Sequence, residues 1–199
     1  EVKLNWKKEE IESACYSHYA SFFAKTVADL LPEHKEKLSS YALMNAQSAE
    51  VHMKALLENK KIYYPKLGAN LGLSSIECSK VAGEMYDELS PILDQYDLFI
   101  SPTNNLPAVK ADVDLEKDPV VINGKEQVGR DMCWTMCYPF NMLGRLPVLS
   151  VPSGFASNNV PTGIQIIARS YADEIVFQAG FNYEKLDPWL KSPENRPKI

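Results

Sequence analysis

Helix-period segments in the first half, short apolar runs closed by proline or glycine in the second, and a return to helical spacing near the end predict an α/β protein. In that fold class the helices cover a β-sheet.

The elements follow in chain order. From Ile11, apolar residues recur through Ala14, Cys15, Tyr19, Phe22, Val27, Leu30 and Leu31 at roughly helical spacing. Pro32 is expected to end that helix. A second helix from about Tyr41 to Lys60 carries Leu43, Ala46, Val51, Ala55 and Leu56 on its apolar side. A third begins after Ser74 or Ser75 and carries Ile76, Val81, Met85, Leu89, Ile92 and Leu93. Pro91 is expected to kink it or to open its last segment. The apolar run from Tyr96 to Pro102 then predicts a strand. Val120-Val121-Ile122 before Asn123-Gly124 predicts a hairpin with a type I′ turn. Leu146 to Val151, closed by Pro152-Ser153-Gly154, and Gly163 to Ala168 predict two more strands. Asp173 to Lys185 returns to helical spacing through Ile175, Val176, Ala179 and Phe181. The expected organisation is a mainly helical segment over residues 1–95, strands and a terminal helix over 96–186, and a surface tail over 187–199. Strands buried on both faces need neighbours, and so few are present that more sheet is expected elsewhere.

Composition narrows the function classes. The chain has 199 residues, 45% hydrophobic and 24% charged, which is ordinary for a globular protein. A net charge of −5 gives no basic footprint for nucleic acid and no polybasic membrane patch, so neither partner is expected. No apolar run approaches the roughly 20 residues that span a bilayer. Cys15, Cys78, Cys133 and Cys137 are too sparse for a disulfide framework and are read as reduced thiols of a cytoplasmic protein. Cys15 with His18 and Cys133 with Cys137 have spacings a zinc site could use, but those are also the spacings of helical core positions. No metal and no other cofactor is expected. The aromatic face with Tyr16, Tyr19, Phe22 and Phe23 is read as core, with a dimer surface as the alternative.

Residues 135–184 carry the strongest signal. They hold Pro139-Phe140-Asn141, Gly144, Leu146-Pro147, Ser150-Val151-Pro152-Ser153-Gly154, Pro161-Thr162-Gly163-Ile164-Gln165 and Tyr183-Glu184. This ordered series resembles the C-terminal end of amidase-signature hydrolases. There a threonine-led Pro-Phe-Asn element leads to a strand, a Val-Pro-x-Gly turn, a Pro-x-Gly-x-Gln strand and a terminal helix. Tyr96 to Thr103 resembles that family's strand and Pro-Thr turn. The resemblance implies the C-terminal portion of a mixed β-sheet covered by helices.

It also implies amide hydrolysis, in which an amide and water give a carboxylate and an amine or ammonia. In that family a Gly- and Ser-rich stretch supplies a serine nucleophile and a second serine, and a lysine acts as the ultimate base. No such run occurs here: there are nine glycines, none adjacent. Ser153 beside Gly154 lacks a nucleophile elbow, and no histidine follows it. No catalytic residue is therefore assigned to this chain, and alone it is expected to be inactive. The chain opens at Glu1 and is read as part of a longer polypeptide or complex. Its expected partners are a preceding catalytic segment or companion chain and a small-molecule amide, with self-association as the alternative. Thr103, Asn104, Trp134 and Asn141, at strand-end turns, are the expected substrate-binding residues. The alternative is a self-standing, noncatalytic binding domain.

Overall fold

A computed structural model describes residues 1–111, 113, 118–127, 133–186 and 188, so the expected surface tail lies almost wholly outside the described residues. The chain divides into two compact units, one of residues 1–86 and 110–134, the other of residues 87–109 and 135–199.

The first unit is built on helices. α1 (Lys8–Tyr19) continues through a π-helical turn at Ala20–Ala24 into α2 (Lys25–Asp29). The rod ends at Asp29, just before Pro32. Pro32 itself occupies the first turn of a separate short α3 (Leu31–His34), where a missing N–H leaves no helical bond unmade. α4 (Ser40–Leu57) starts at Ser39, whose hydroxyl accepts from the Ala42 N–H. Ala20, Ala24 and Ala49 form a buried cluster, so small side chains let α4 lie close against the π turn. The aromatic face divides. Tyr16 is buried beside Met44, Leu67 and Leu71, whereas Phe22 and Phe23 stay 60% and 68% exposed.

A hairpin of β1 (Ile62–Tyr64) and β2 (Ala69–Leu71) follows α4. Its N–H groups along one edge are met by side chains rather than by another strand. Asn70 N donates to Ser13 Oγ at 3.0 Å, Gly72 N to His52 Nδ1 at 3.0 Å, and Leu73 N to Ser17 Oγ at 3.3 Å. Buried N–H groups need such acceptors, and α1 and α4 supply them from their inner faces.

His52 is fully buried. Because Nδ1 accepts a backbone proton, the ring hydrogen sits on Nε2, 2.9 Å from Ser21 Oγ. Ser21 in turn donates to the Ser17 carbonyl. Burial first, and the Lys61 charge second, push the His52 pKa below its ordinary value. A protonated His52 would lose its Nδ1 acceptor. The folded form therefore holds a proton less tightly than the unfolded form does. His52 contributes stability above the unfolded pKa of about 6.5, and that contribution is lost as pH falls. Melting temperature is expected to decline between about pH 7 and pH 5. His52→Gln should flatten that part of the profile; an unchanged slope in the variant would remove His52 as its source.

α5 (Ser75–Gln95) opens with a reciprocal cap. The Glu77 carboxylate accepts from Ser74 N and Oγ, and Ser74 Oγ accepts from Glu77 N. Lys61 bonds the same carboxylate at 2.7 Å, and with the Ser74 donors it holds the Glu77 pKa down to about 2. Cys78 is buried against the Ala14 carbonyl, and desolvation raises its thiol pKa to about 11. α5 runs on through Pro91. β4 (Val120–Ile122) and β5 (Lys125–Gln127) form the expected hairpin. Asn123 and Gly124 both have positive φ, 52° and 74°, as a type I′ turn requires.

The second unit holds a three-stranded antiparallel sheet in the order β3 (Phe99–Pro102), β7 (Pro161–Ile167), β6 (Val148–Phe155). α7 (Asp173–Leu186) covers one face. Ile166, Ala168 and Val176 are buried there with Leu98, Leu149, Val151, Ile175 and Ala179 packed around them. The other face carries Gln165 in register with Ser101 and Ser150, and beside it Phe99 meets Phe140 of the short α6 (Tyr138–Met142). Pro152-Ser153-Gly154 does not end β6. The strand continues to Phe155 with its register shifted between Pro152 and Gly154. A bulge tolerates a proline that cannot donate to the ladder, so the punctuation is internal to the strand.

Candidate functional site

The cleft in the second unit lies at the end of this sheet. Where β3 stops, residues 102–107 turn away and form one wall. The bulge at Ser153 and residues 161–164 of β7 form the other, enclosing about 400 Å³. Thr103 anchors the corner. Its N–H and its hydroxyl both donate to the Gly163 carbonyl, at 3.1 and 2.9 Å. The Thr103 carbonyl accepts from Met136 N at 2.9 Å, and Cys137 Sγ lies 3.5 Å from it. Asn104 pairs with Thr135 through an isolated bridge and exposes its side chain.

Across the cleft, the Ser153 and Thr162 hydroxyls lie 3.0 Å apart. The bulge produces this pair: Gly154, not Ser153, takes the ladder position opposite Thr162. Pro102, Leu106, Pro107, Pro161 and Ile164 give the walls their apolar surface, and no described lining residue is charged. Among the described lining residues Ser153 therefore has no general base, which argues against nucleophilic chemistry at this position.

Of the residues expected from sequence, Thr103 and Asn104 come together on one wall. Asn141 is exposed on α6 and is not among the described residues that line the cleft. Trp134 is half-buried and belongs to the other unit. The hydroxyl pair went unpredicted. Its signal was the Pro-Ser-Gly triplet followed after a short loop by Pro-Thr-Gly, which identifies a bulged hairpin only once the register is known.

None of the four cysteines is joined in a disulfide. Among the described residues no group of three or more His, Cys, Asp or Glu is placed to hold a metal. Among them, too, no helix is long and apolar enough to cross a membrane.

The family model for amidases matches residues 5–177. The chain belongs to the amidase family. It is 32% identical over 108 residues to an acylamidase of Rhodococcus erythropolis, a match covering 54% of this chain and 22% of that protein. It is 37% identical over 110 residues to a glutamyl-tRNA(Gln) amidotransferase subunit of Thermotoga maritima, covering 55% of this chain and 21% of the relative. Among solved structures, an amidase superposes with a TM-score of 0.65 at 18% identity, over 88% of this chain and 35% of that one. The superposition establishes the α/β amidase fold. The matched stretch spans about a fifth of the length of each of these two curated relatives.

Proposed function

We propose that this chain is part of an amide hydrolase, supplying sheet strands, covering helices and one wall of the substrate site, while the acyl-transfer residues lie on a preceding segment or companion chain. The observation that carries the reading is a family match over residues 5–177 in a sequence without the glycine- and serine-rich run. The cleft supports it: it is concave and mixed in polarity, as binding sites are, yet its described lining has no nucleophile–base pair. The open sheet supports it too. β3 and β6 are edge strands, and Ile100 and Val148 on them are 59% and 40% exposed. Such edges call for cover from further polypeptide.

On this reading a serine outside the chain attacks the amide carbonyl and releases the amine, and water then frees the carboxylate from the acyl-enzyme. A fluorophosphonate probe, which phosphonylates activated serines, tests the division of labour. The expected result is no adduct on this chain and no amide hydrolysis by it alone, with both appearing when the intact parent polypeptide or complex is assayed. A stoichiometric serine adduct on this chain that blocks hydrolysis would sink the proposal. Absence of both adduct and hydrolysis from the intact parent would favour a noncatalytic binding domain.

A further inference from the structure

We infer that Asn123 is a self-modification site: the Gly124 nitrogen attacks its side chain and turns the asparagine into aspartate and isoaspartate, and the isoaspartate form opens the tip of the β4–β5 hairpin. This holds whether or not the chain serves an amide hydrolase.

Three exposed asparagines have positive φ: Asn59 at 49°, Asn123 at 52° and Asn159 at 59°. They differ in the nitrogen that follows. The Lys60 N–H donates to the Ala55 carbonyl at 3.0 Å, and the Val160 N–H donates to Asn158 Oδ1 at 3.3 Å. Each of those nitrogens is committed, and each is crowded by the side chain of its own residue. Gly124 is exposed, lies outside the paired positions of the hairpin, and its nitrogen donates to no acceptor among the described residues. It has no Cβ, and nothing lies within 4 Å of where one would stand. This is the single Asn-Gly step in the sequence.

Ring closure requires the Asn123 backbone to rotate out of its turn geometry, and the hairpin permits that. Its strands are three residues each, and Val121 is 47% exposed. A two-stranded ribbon of this kind is marginal by itself, so its tip frays first. The base stays anchored by buried Val120 and by Lys8 Nζ, which donates to Gln127 Oε1 at 3.3 Å.

The chemistry balances without an oxidant or reductant. Solvent base removes the Gly124 amide proton, and the nitrogen bonds to Asn123 Cγ. The Cγ–Nδ2 bond breaks, and ammonia leaves with a proton from water. Water then opens the resulting five-membered imide. Attack at Cγ breaks its new bond to nitrogen and gives aspartate. Attack at the backbone carbonyl breaks the original peptide bond and gives isoaspartate, with the chain now routed through Cγ. Both products carry a carboxylate where asparagine was neutral. Asp-Gly suits the same type I′ turn, so the aspartate form keeps the hairpin. Isoaspartate adds a backbone methylene between Ile122 and Gly124. A two-residue turn fixes the pairing of Ile122 with Lys125, and the lengthened turn cannot hold it.

The test incubates the full chain in mildly alkaline buffer, maps it by peptide mass spectrometry and counts isoaspartate with an isoaspartyl methyltransferase assay. Asn123 is expected to be lost at least about tenfold faster than Asn59 or Asn159, equivalent to about 1.4 kcal/mol of barrier. Ammonia should appear in equal amount. Gly124→Ala should slow the loss by a similar factor. Because alanine is strained at a φ of 74°, Asn123→Asp is the second variant: it should release no ammonia from this site and keep wild-type hydrogen exchange over residues 120–127. The separated isoaspartate form should exchange those amides at least about tenfold faster than wild type, again about 1.4 kcal/mol. Loss at Asn123 no faster than at Asn59 and Asn159, or an isoaspartate form with unchanged exchange in the hairpin, would each overturn the inference.

Discussion

Gly72→Ala is expected to destabilise the first unit by about 3 kcal/mol, a large share of the roughly 5–15 kcal/mol typical of a domain. Two effects add. Gly72 has φ of +97°, outside the ordinary range of residues with a Cβ, and holding alanine there costs about 1–3 kcal/mol. A Cβ at this position would also lie 2.5 Å from both the Ala55 Cβ and the Lys60 carbonyl oxygen. Neither neighbour is the movable end of a long side chain, so relief requires backbone displacement, which adds about 1–3 kcal/mol. The lower unfolded-state entropy of alanine returns only about 0.4–1 kcal/mol. Displacement would reach further, because Gly72 N donates to His52 and its carbonyl accepts from Lys61. Gly83→Ala in α5 is the control. Nothing lies within 4 Å of a Cβ there, and helix propensity should stabilise by up to about 1 kcal/mol. Urea denaturation of both variants gives the comparison. A Gly72→Ala midpoint equal to wild type would show that β2 and the end of α4 do not approach as closely as described.

How much of this was legible depends on whether the signal is local. α5, α7 and the β4–β5 hairpin declare themselves because period, caps and turn residues lie within one stretch of chain, and Asn123-Gly124 nearly dictates its own backbone. The β1–β2 hairpin does not. Each strand is three residues long, too short for alternation to show. Its N–H partners, Ser13, Ser17 and His52, lie 20 to 57 residues away in sequence. The same distinction governs the site. The turn that carries Thr103 and Asn104 was legible because a Pro-Thr turn after a strand is a local mark with a family counterpart. Ser153 meets Thr162 only because a bulge displaces the register by one residue, and register is a property of the paired strands. Gln165 lies between these cases: an amide in an apolar strand announces that it needs partners, without saying which.

Those partners make Gln165 the most consequential polar side chain of the second unit. It is 1% exposed, and its Nε2 donates to the Pro102 carbonyl at 3.0 Å and the Met136 carbonyl at 2.9 Å. Its Oε1 has no partner among the described residues. The amide therefore ties the end of β3 to the segment before α6, the same two stretches joined by the bond from Met136 N to the Thr103 carbonyl. Gln165→Leu should cost about 1–2 kcal/mol. It strips the Met136 carbonyl of a buried donor, worth about 1–3 kcal/mol, but it also removes an unpartnered acceptor, and Ser101 Oγ still reaches the Pro102 carbonyl. Gln165→Glu should cost more, about 3–5 kcal/mol at neutral pH, because a buried carboxylate would face two carbonyl oxygens. Its pH dependence is distinctive. Burial and facing carbonyls raise the folded-state pKa of the new carboxyl above the unfolded value of about 4.3. The protonated form can donate to one carbonyl, so the penalty is smallest below the unfolded pKa and grows as pH rises through the folded one. This variant should thus gain on wild type in acid, opposite in sign to the slope from His52. Paired urea melts at about pH 4 and pH 7 measure the difference. A Gln165→Glu protein as stable as wild type at neutral pH would show that the amide does not carry the link between β3 and α6, and that the Thr103 corner of the cleft is held by other means.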